Sequence, residues 1–165
     1  GVEQETIPPE TRAKVSLLYT RVTPDIIPWL GPFEIYHTYL EILFPNGHRY
    51  VTRGGPQEVP AFLPFGYLEA QAANNNFGPI QSAEFLDLSK YVWWRQHVGF
   101  SNKNESEVGA LMRSYSSLVN RCERPYLVIT QNSNSYAFTS VERVTSLRRP
   151  FPQKLAPGAL FRPNC

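Results

Sequence analysis

Residues 35–53 read IYHTYLEILF, then PNG, then HRYVTR. An Asn-Gly pair between two apolar runs is the strongest short-range signal for a β-hairpin. We therefore expect a strand over 35–44, a tight turn at 45–47 and an antiparallel partner strand over 48–53. The hairpin is the first fixed element of the fold, and we place the other elements around it.

Strand and helix signals on both sides of the hairpin predict an α+β domain. Residues 14–22 are rich in β-branched and aromatic side chains and predict a strand. Asn104 with Glu107 resembles a capping box, and the apolar residues after it recur at helical spacing. We expect an apolar strand at 126–130 and a short amphipathic helix over 133–146. This order suits one mostly antiparallel sheet packed with a few helices.

The middle of the chain gives weaker signals. The stretch from Gly54 to Gly78 contains three prolines and a run of three asparagines, which predicts one long loop. Residues 81–100 predict one or two strands, with a helical turn over 90–97 as the alternative. Trp93 and Trp94 lie in this segment.

The length, composition and net charge of the chain limit the structural class and the functions that it can have. With 165 residues, of which 42% are hydrophobic and 13% aromatic, the chain is long enough for one domain with a real core. We expect a single domain over 1–165, with 1–10 and 150–165 as extended arms, the second strapped onto the domain. A net charge of +2 gives no argument for nucleic acid. No apolar run is long enough to span a membrane, and nothing indicates the oligomeric state.

Ser133 lies in the segment TQNSNS at 130–135. One interpretation is a helix cap, since serine and asparagine bind the unpaired N–H groups of a first turn. The other is a nucleophile at the positive end of a helix, where backbone N–H groups can hold an oxyanion. His37 lies within a strongly apolar strand and is either structural or the base for such a nucleophile. Glu41 is about 13 Å farther along that strand, too far to orient the ring.

For the other residues that could belong to a functional site, a structural role is at least as simple an interpretation. His48 follows the hairpin turn and is expected in solvent, while His97 could belong to the surface or to a site. Gly54-Gly55 either allows a close backbone approach to a substrate or ends the strand.

Cys122 lies between Arg121 and Arg124, which would favour a thiolate nucleophile, although an inert cysteine is the ordinary expectation. A disulfide with Cys165 is a further alternative. The histidines and cysteines lack the spacing of zinc ligands, so we expect no metal and no cofactor.

Two blocks of the chain together resemble the PPPDE family of circularly permuted papain-like peptidases. The first is Tyr36-His37-Thr38 with Gly54-Gly55 after the hairpin, and the second is YLVITQNSNSY at 126–136. The family has a strand histidine in a Trp-His-Thr-like context, a glycine-rich step, and a Tyr-Asn-Leu-Leu-Thr-x-Asn-Cys-Asn-x-Phe segment. Related permuted folds include the lecithin retinol acyltransferase group and bacterial cell-wall amidases.

The resemblance implies a permuted papain-like fold with a Cys-His type of site. His37 matches the general base, and Ser133 stands where the family has its nucleophilic cysteine. Asn132 and Asn134 match the flanking asparagines, for which we expect contact with substrate or oxyanion. The serine is a departure with three explanations: a natural serine nucleophile, an engineered Cys→Ser change, or a pseudoenzyme that keeps the cleft.

The resemblance further implies a hydrolase acting on an amide, isopeptide or thioester bond, or an acyl transferase, with a protein or peptide substrate. A bacterial toxin or secreted effector domain would suit such an activity. The alternative function is a catalytically inactive papain-fold binding module. There, Ser133 would only cap a helix, and Trp93, Trp94 and the 54–78 loop would form the partner surface.

Overall fold

The computed structural model describes residues 12–21, 36–56, 67–72, 77–80, 92–124 and 132–163. They form a five-stranded antiparallel sheet and two helices. The strands are β1 (Ala13–Arg21), β2 (Tyr36–Leu43), β3 (Arg49–Pro56), β4 (Leu68–Ala72) and β5 (Val92–Ser101); the helices are α1 (Glu105–Cys122) and α2 (Ser133–Thr145). The strand order is β4-β3-β2-β1-β5. The predicted α+β class with a mostly antiparallel sheet is confirmed.

The hairpin predicted at the Asn-Gly turn joins β2 to β3. The Phe44 amide donates to the His48 carbonyl at 2.9 Å, and the Gly47 amide donates to the Phe44 carbonyl at 2.9 Å. Gly47 has φ +89°, a value that glycine adopts without steric cost. The predicted hairpin is confirmed, and the strand predicted over 14–22 is confirmed as β1.

The main core lies on one face of the sheet. Side chains alternate between the two faces of a strand, so every second residue of β1 and β2 reaches this core. These side chains pack against α1 and α2; the core residues from β1 and β2 are Ala13, Val15, Leu17, Tyr19, Tyr36, Leu40 and Ile42. The opposite face of β1 is also buried, where Leu18 packs with Val51 and Ile80.

Helix α1 begins with the predicted capping box. The Glu107 amide donates to Asn104 Oδ1 at 2.9 Å, and the Asn104 amide donates to Glu107 Oε1 at 3.2 Å. One face of the helix is buried, and its large side chains there are Val108, Met112, Tyr115 and Val119. Their helical spacing is the pattern seen in the sequence, so this helix is confirmed.

Helix α2 differs from its prediction in one respect. Its bounds, Ser133–Thr145, agree with the expected helix, but its first nine residues are all buried. The expected amphipathic pattern is therefore wrong, because the sheet, α1 and the C-terminal segment surround α2. Tyr136 and Phe138 both have no exposed surface.

Two other expectations are corrected in the middle of the chain. The predicted loop over 54–78 is interrupted, because β3 extends to Pro56 and β4 spans Leu68–Ala72. The sequence LEAQA alternates buried with half-buried residues, but its two alanines and its length of five residues conceal the strand. The helical alternative over 90–97 is wrong from Val92 onwards, since β5 begins there. The strand predicted at 126–130 and the arm at 1–10 lie outside the described residues.

The C-terminal segment, residues 150–163, is hydrogen-bonded to β1 and β2. The Gln153 amide donates to the Tyr19 hydroxyl at 3.1 Å, and the Leu155 carbonyl accepts from the Tyr36 amide at 2.9 Å. The segment therefore crosses β1 and β2 before it reaches the start of α2.

Cys122, the last residue of α1, is part of a disulfide. A disulfide sulfur is not a thiolate, so the alternative in which Cys122 is the nucleophile is wrong for this state of the protein. Within the described ranges, no helix combines the length and the apolar character that crossing a bilayer requires.

Candidate active site

The site lies where β2 and β3 separate. The β2–β3 ladder runs from Leu43–Arg49 to Leu40–Thr52, and the described residues show no further pairs between these strands. Beyond that point β3 pairs with β4, as in Gly54 with Ala70, while β2 continues along β1. The start of α2 lies against both strands at the point of separation.

Gly54 allows α2 to pack closely on β3. A Cβ atom on Gly54 would lie 2.7 Å from Tyr136 Cβ and 2.9 Å from Leu68 Cδ1, closer than side chains pack. Tyr136 is hydrogen-bonded through its hydroxyl to Thr52 Oγ1 at 3.0 Å and to Ser116 Oγ at 3.2 Å. The close approach that the sequence suggested at Gly54 is therefore to α2, and the alternative that Gly54-Gly55 ends the strand is wrong.

The structure brings His37 and Ser133 together across this junction. His37 Nδ1 lies 2.6 Å from Ser133 Oγ, a hydrogen-bond distance between residues 96 positions apart in the chain. Ser133 is the first residue of α2, so its hydroxyl lies at the positive end of the helix dipole. A ring nitrogen at this distance can accept the hydroxyl proton when it is the unprotonated nitrogen of the imidazole.

Asn134 fixes β2 on both sides of His37. Its Nδ2 donates to the Tyr36 carbonyl at 2.9 Å, and its Oδ1 accepts from Thr38 Oγ1 at 2.9 Å. Because Tyr36 and Thr38 are the two neighbours of His37, one side chain of α2 sets the position of the histidine backbone. Asn134 Nδ2 also donates to the Pro157 carbonyl at 2.9 Å.

Asn132 is the N-cap of α2. Its Oδ1 accepts from the amides of Asn134 at 2.9 Å and Ser135 at 3.2 Å, and its Nδ2 donates to the Pro157 carbonyl at 2.9 Å. These hydrogen bonds of both asparagines are internal to the protein. Contact with substrate or oxyanion stays a prediction for Asn132 and Asn134, and an oxyanion would need helix N–H groups other than those already bonded to Asn132.

The imidazole of His37 is neutral at pH 7. Burial, the larger cause, and the positive charge of Arg53 together lower the pKa of His37 from 6.5 to about 4. Arg53 is itself held by Gln71 Oε1 at 3.1 Å and lies over the Tyr39 ring at 5.4 Å. A neutral ring protonated at Nε2 accepts the serine proton at Nδ1, which is the state that a base needs.

Ser133 is almost fully enclosed. Only 1% of its surface is exposed, whereas His37 is half-buried. The C-terminal segment contributes to the cover, since Pro157 contacts the side chains on both sides of Ser133. A substrate would reach the hydroxyl only after some of this cover moves.

The other sequence candidates lie outside the site. His48 is exposed and bonded to Glu105 at 2.8 Å, which agrees with its expected place in solvent. His97 is exposed on β5. Glu41 is buried and paired with Arg95 and, at 3.6 Å, with Arg49. None of these residues has a described contact with His37 or Ser133, and among the described residues only Ser133 is seen to hydrogen-bond the His37 ring.

Arg53 was not a candidate in the sequence analysis, although the register of the hairpin places it near His37. Pairing of Leu40 with Thr52 extrapolates to Arg53 opposite Tyr39, and strand alternation puts Tyr39 and His37 on one side of β2. The roles of Asn134 and Tyr136 gave no such signal, because each depends on where α2 packs.

Comparison of the chain with models of known protein families, with characterised proteins and with solved structures gives no match.

The pKa of His37 predicts a pH dependence of stability. The unfolded histidine binds a proton below about pH 6.5, but the folded one only below about pH 4. The contribution of His37 to the free energy of unfolding should therefore be constant above pH 6.5. It should fall by about 3 kcal/mol as the pH decreases to 4 and then level off. Urea unfolding at the two ends of this window measures the change.

The control for this experiment is His37→Gln, which removes the titrating group. On acidification from pH 6.5 to pH 4, the protein should lose about 3 kcal/mol of unfolding free energy relative to this variant. An equal loss in the protein and in His37→Gln would contradict the assignment to His37.

Proposed function

We propose that the chain is a hydrolase of the Ser/Cys-His type with a permuted papain-like fold, in which Ser133 is the nucleophile and His37 is the base. The proposal depends on the 2.6 Å contact between Ser133 Oγ and His37 Nδ1. The bonds that fit it are amide, isopeptide and thioester bonds of a protein or peptide, cleaved by hydrolysis or by acyl transfer.

The proposed reaction follows the general serine mechanism. His37 Nδ1 takes the proton of Ser133 as Oγ attacks the carbonyl carbon, and the imidazolium then gives this proton to the leaving group. Water cleaves the acyl-serine ester by the same route. The dipole of α2 and the charge of Arg53 favour negative charge on the carbonyl oxygen.

A secreted toxin or effector is the setting that we propose for this activity. Disulfides persist in oxidising compartments and are rare in reducing ones, and Cys122 is disulfide-bonded. The disulfide-bonded cysteine thus supports an extracellular site of action, independently of the chemistry at Ser133.

The test is covalent modification by a fluorophosphonate probe, which reacts with activated serine hydroxyls. We expect a phosphonyl adduct on the native protein, located at Ser133 by mass spectrometry and absent from Ser133→Ala. Modification of other serines at the same rate would show that Ser133 has no special reactivity.

The second candidate is a catalytically inactive binding module. It is favoured by the 1% exposure of Ser133 and by the internal hydrogen bonds of both flanking asparagines, which suit a helix cap. The variant Ser133→Cys separates the two candidates. If the probe fails on Ser133 and iodoacetamide also fails on the cysteine, the site is closed and the inactive module is the better description.

A further inference from the structure

Arg53 is a cation held in place beside the proposed active site. Its Nε donates to Gln71 Oε1 at 3.1 Å, its Nη1 donates to the Tyr39 hydroxyl at 3.4 Å, and its guanidinium lies 5.4 Å from the centre of the Tyr39 ring. Residues of β2 and β4, the strands on both sides of β3, therefore hold this side chain. An arginine that is already fixed in this way loses little freedom when it binds a ligand.

Gly55 leaves the space for this arrangement. It lies two residues after Arg53 on β3, so both residues face the same side of the sheet. A Cβ atom on Gly55 would lie 2.7 Å from Gln71 Oε1, the atom that accepts from Arg53 Nε. A larger residue at position 55 would push this amide away, so the glycine allows Gln71 to hold the Arg53 side chain.

Arg53 lies on the same side of the sheet as His37. Tyr39, under the Arg53 guanidinium, is two residues from His37 on β2, a separation of about 7 Å along a strand. The charge of Arg53 acts on the His37 ring, since it is the second cause, after burial, of the lowered pKa of His37. All three side chains are half-buried, so each keeps some exposure to solvent. An acidic side chain beside the attacked bond of a bound peptide could therefore reach Arg53.

No carboxylate of the described residues forms an ion pair with Arg53. The ion pairs between described residues involve other cations: His48, Arg49, Arg95, Lys103, Arg149 and Arg162. Glu41, on the same side of β2, is paired with Arg95 and Arg49. Glu69, opposite Gly55 on β4, makes no ion pair with Arg53 in this part of the chain. Arg53 therefore has N–H groups on Nη1 and Nη2 with which it can bind a carboxylate.

We propose that Arg53 selects the substrate by binding a carboxylate, so that the preferred substrate is a peptide with an acidic side chain next to the bond that Ser133 attacks. This inference rests on the proposed function and adds a substrate class to it. Arginine binds a carboxylate through two parallel N–H groups, and such charge-assisted hydrogen bonds are about twice as strong as neutral ones. A neutral side chain at the same place would lack this pair of bonds.

The first experiment uses the native serine and two diphenyl phosphonate probes, which carry the side chain of glutamate or of glutamine beside the phosphorus atom. Ser133 Oγ bonds to phosphorus, phenol leaves with the serine proton, and intact mass gives the rate. We expect the glutamate probe to react about 10- to 100-fold faster than the glutamine probe. Arg53→Gln should remove this preference, and Arg53→Lys should restore part of it, because lysine keeps the charge without the planar pair of donors.

The second experiment does not depend on the reactivity of the serine. In Ser133→Cys, the thiolate displaces iodide from iodoacetate or from iodoacetamide, two reagents of similar size that differ in charge. Adding Arg53→Gln should lower the ratio of the iodoacetate rate to the iodoacetamide rate about tenfold, because a cation beside the thiolate attracts the anionic reagent. Arg148→Gln is the matched control. Arg148 is exposed beyond the far end of α2, a helix about 20 Å long, so its loss should leave the ratio unchanged.

The two experiments separate this inference from the proposed function. If neither phosphonate modifies Ser133 but the alkylation ratio falls as expected, the enzyme proposal is wrong, and carboxylate binding by Arg53 belongs to an inactive binding module. If Ser133 reacts equally with both probes, or if Arg53→Gln slows both probes equally, the selection of acidic substrates by Arg53 is wrong. It is also wrong if Arg53→Gln and Arg148→Gln give the same alkylation ratio, or if neither reagent reaches the cysteine. Circular dichroism should show that all variants fold.

Discussion

Replacing His37 by alanine is expected to slow the modification of Ser133 by a fluorophosphonate about 10²- to 10⁴-fold. The serine hydroxyl is a weak nucleophile unless a base takes its proton, and His37 Nδ1 lies 2.6 Å from Oγ, close enough to accept it. The rate should follow the fraction of neutral imidazole, so it should stay constant from pH 7 down to the region of the His37 pKa, about 4. Intact mass measured over time gives the rate.

His97→Ala is the matched control, because it removes an exposed histidine from β5 without touching the site. It should react at the rate of the unchanged protein. Thermal unfolding of both variants separates loss of the base from loss of the fold. If folded His37→Ala reacts as fast as His97→Ala, the contact between His37 and Ser133 is structural and the enzyme proposal fails.

Local signals in the chain were sufficient for most of the sheet and helices. The Asn-Gly turn determined the hairpin, and the capping box of Asn104 and Glu107 determined the start of α1, since each acts within a few residues. Strand β4 was missed because its five residues lack β-branched side chains, so its pairing with β3 outweighs its local preference.

The site was only partly predictable from the sequence, because contacts between distant parts of the chain hold it together. Ser133 and His37 were recognisable by residue type and by resemblance, and the structure places them in contact. What holds them there is long-range: Asn134 bridges the two neighbours of His37, and Tyr136 packs on Gly54. Neither contact can be deduced without knowing how α2 packs against β2 and β3. The enclosure of Ser133 depends likewise on the C-terminal segment.

Gly54→Ala is expected to be the most damaging small substitution near the site. Alanine is ordinarily better than glycine inside a strand. Here its Cβ would meet Tyr136 Cβ at 2.7 Å, an atom fixed directly to the α2 backbone, so the helix itself must move. We expect a loss of about 1–3 kcal/mol in unfolding free energy, the usual cost of overpacking, measured by urea unfolding.

Gly109→Ala is the matched control, since Gly109 is also buried and lies inside α1. The atom nearest to an added Cβ there is the flexible end of Arg113, at 3.4 Å, so the change should raise stability by about 0.5–1 kcal/mol. Because Gly54 sets the distance between α2 and the sheet, Gly54→Ala should also slow modification of Ser133, whereas Gly109→Ala should not. A Gly54→Ala protein as stable and as reactive as the unchanged one would show that close packing of α2 on β3 does not position the Ser133 hydroxyl.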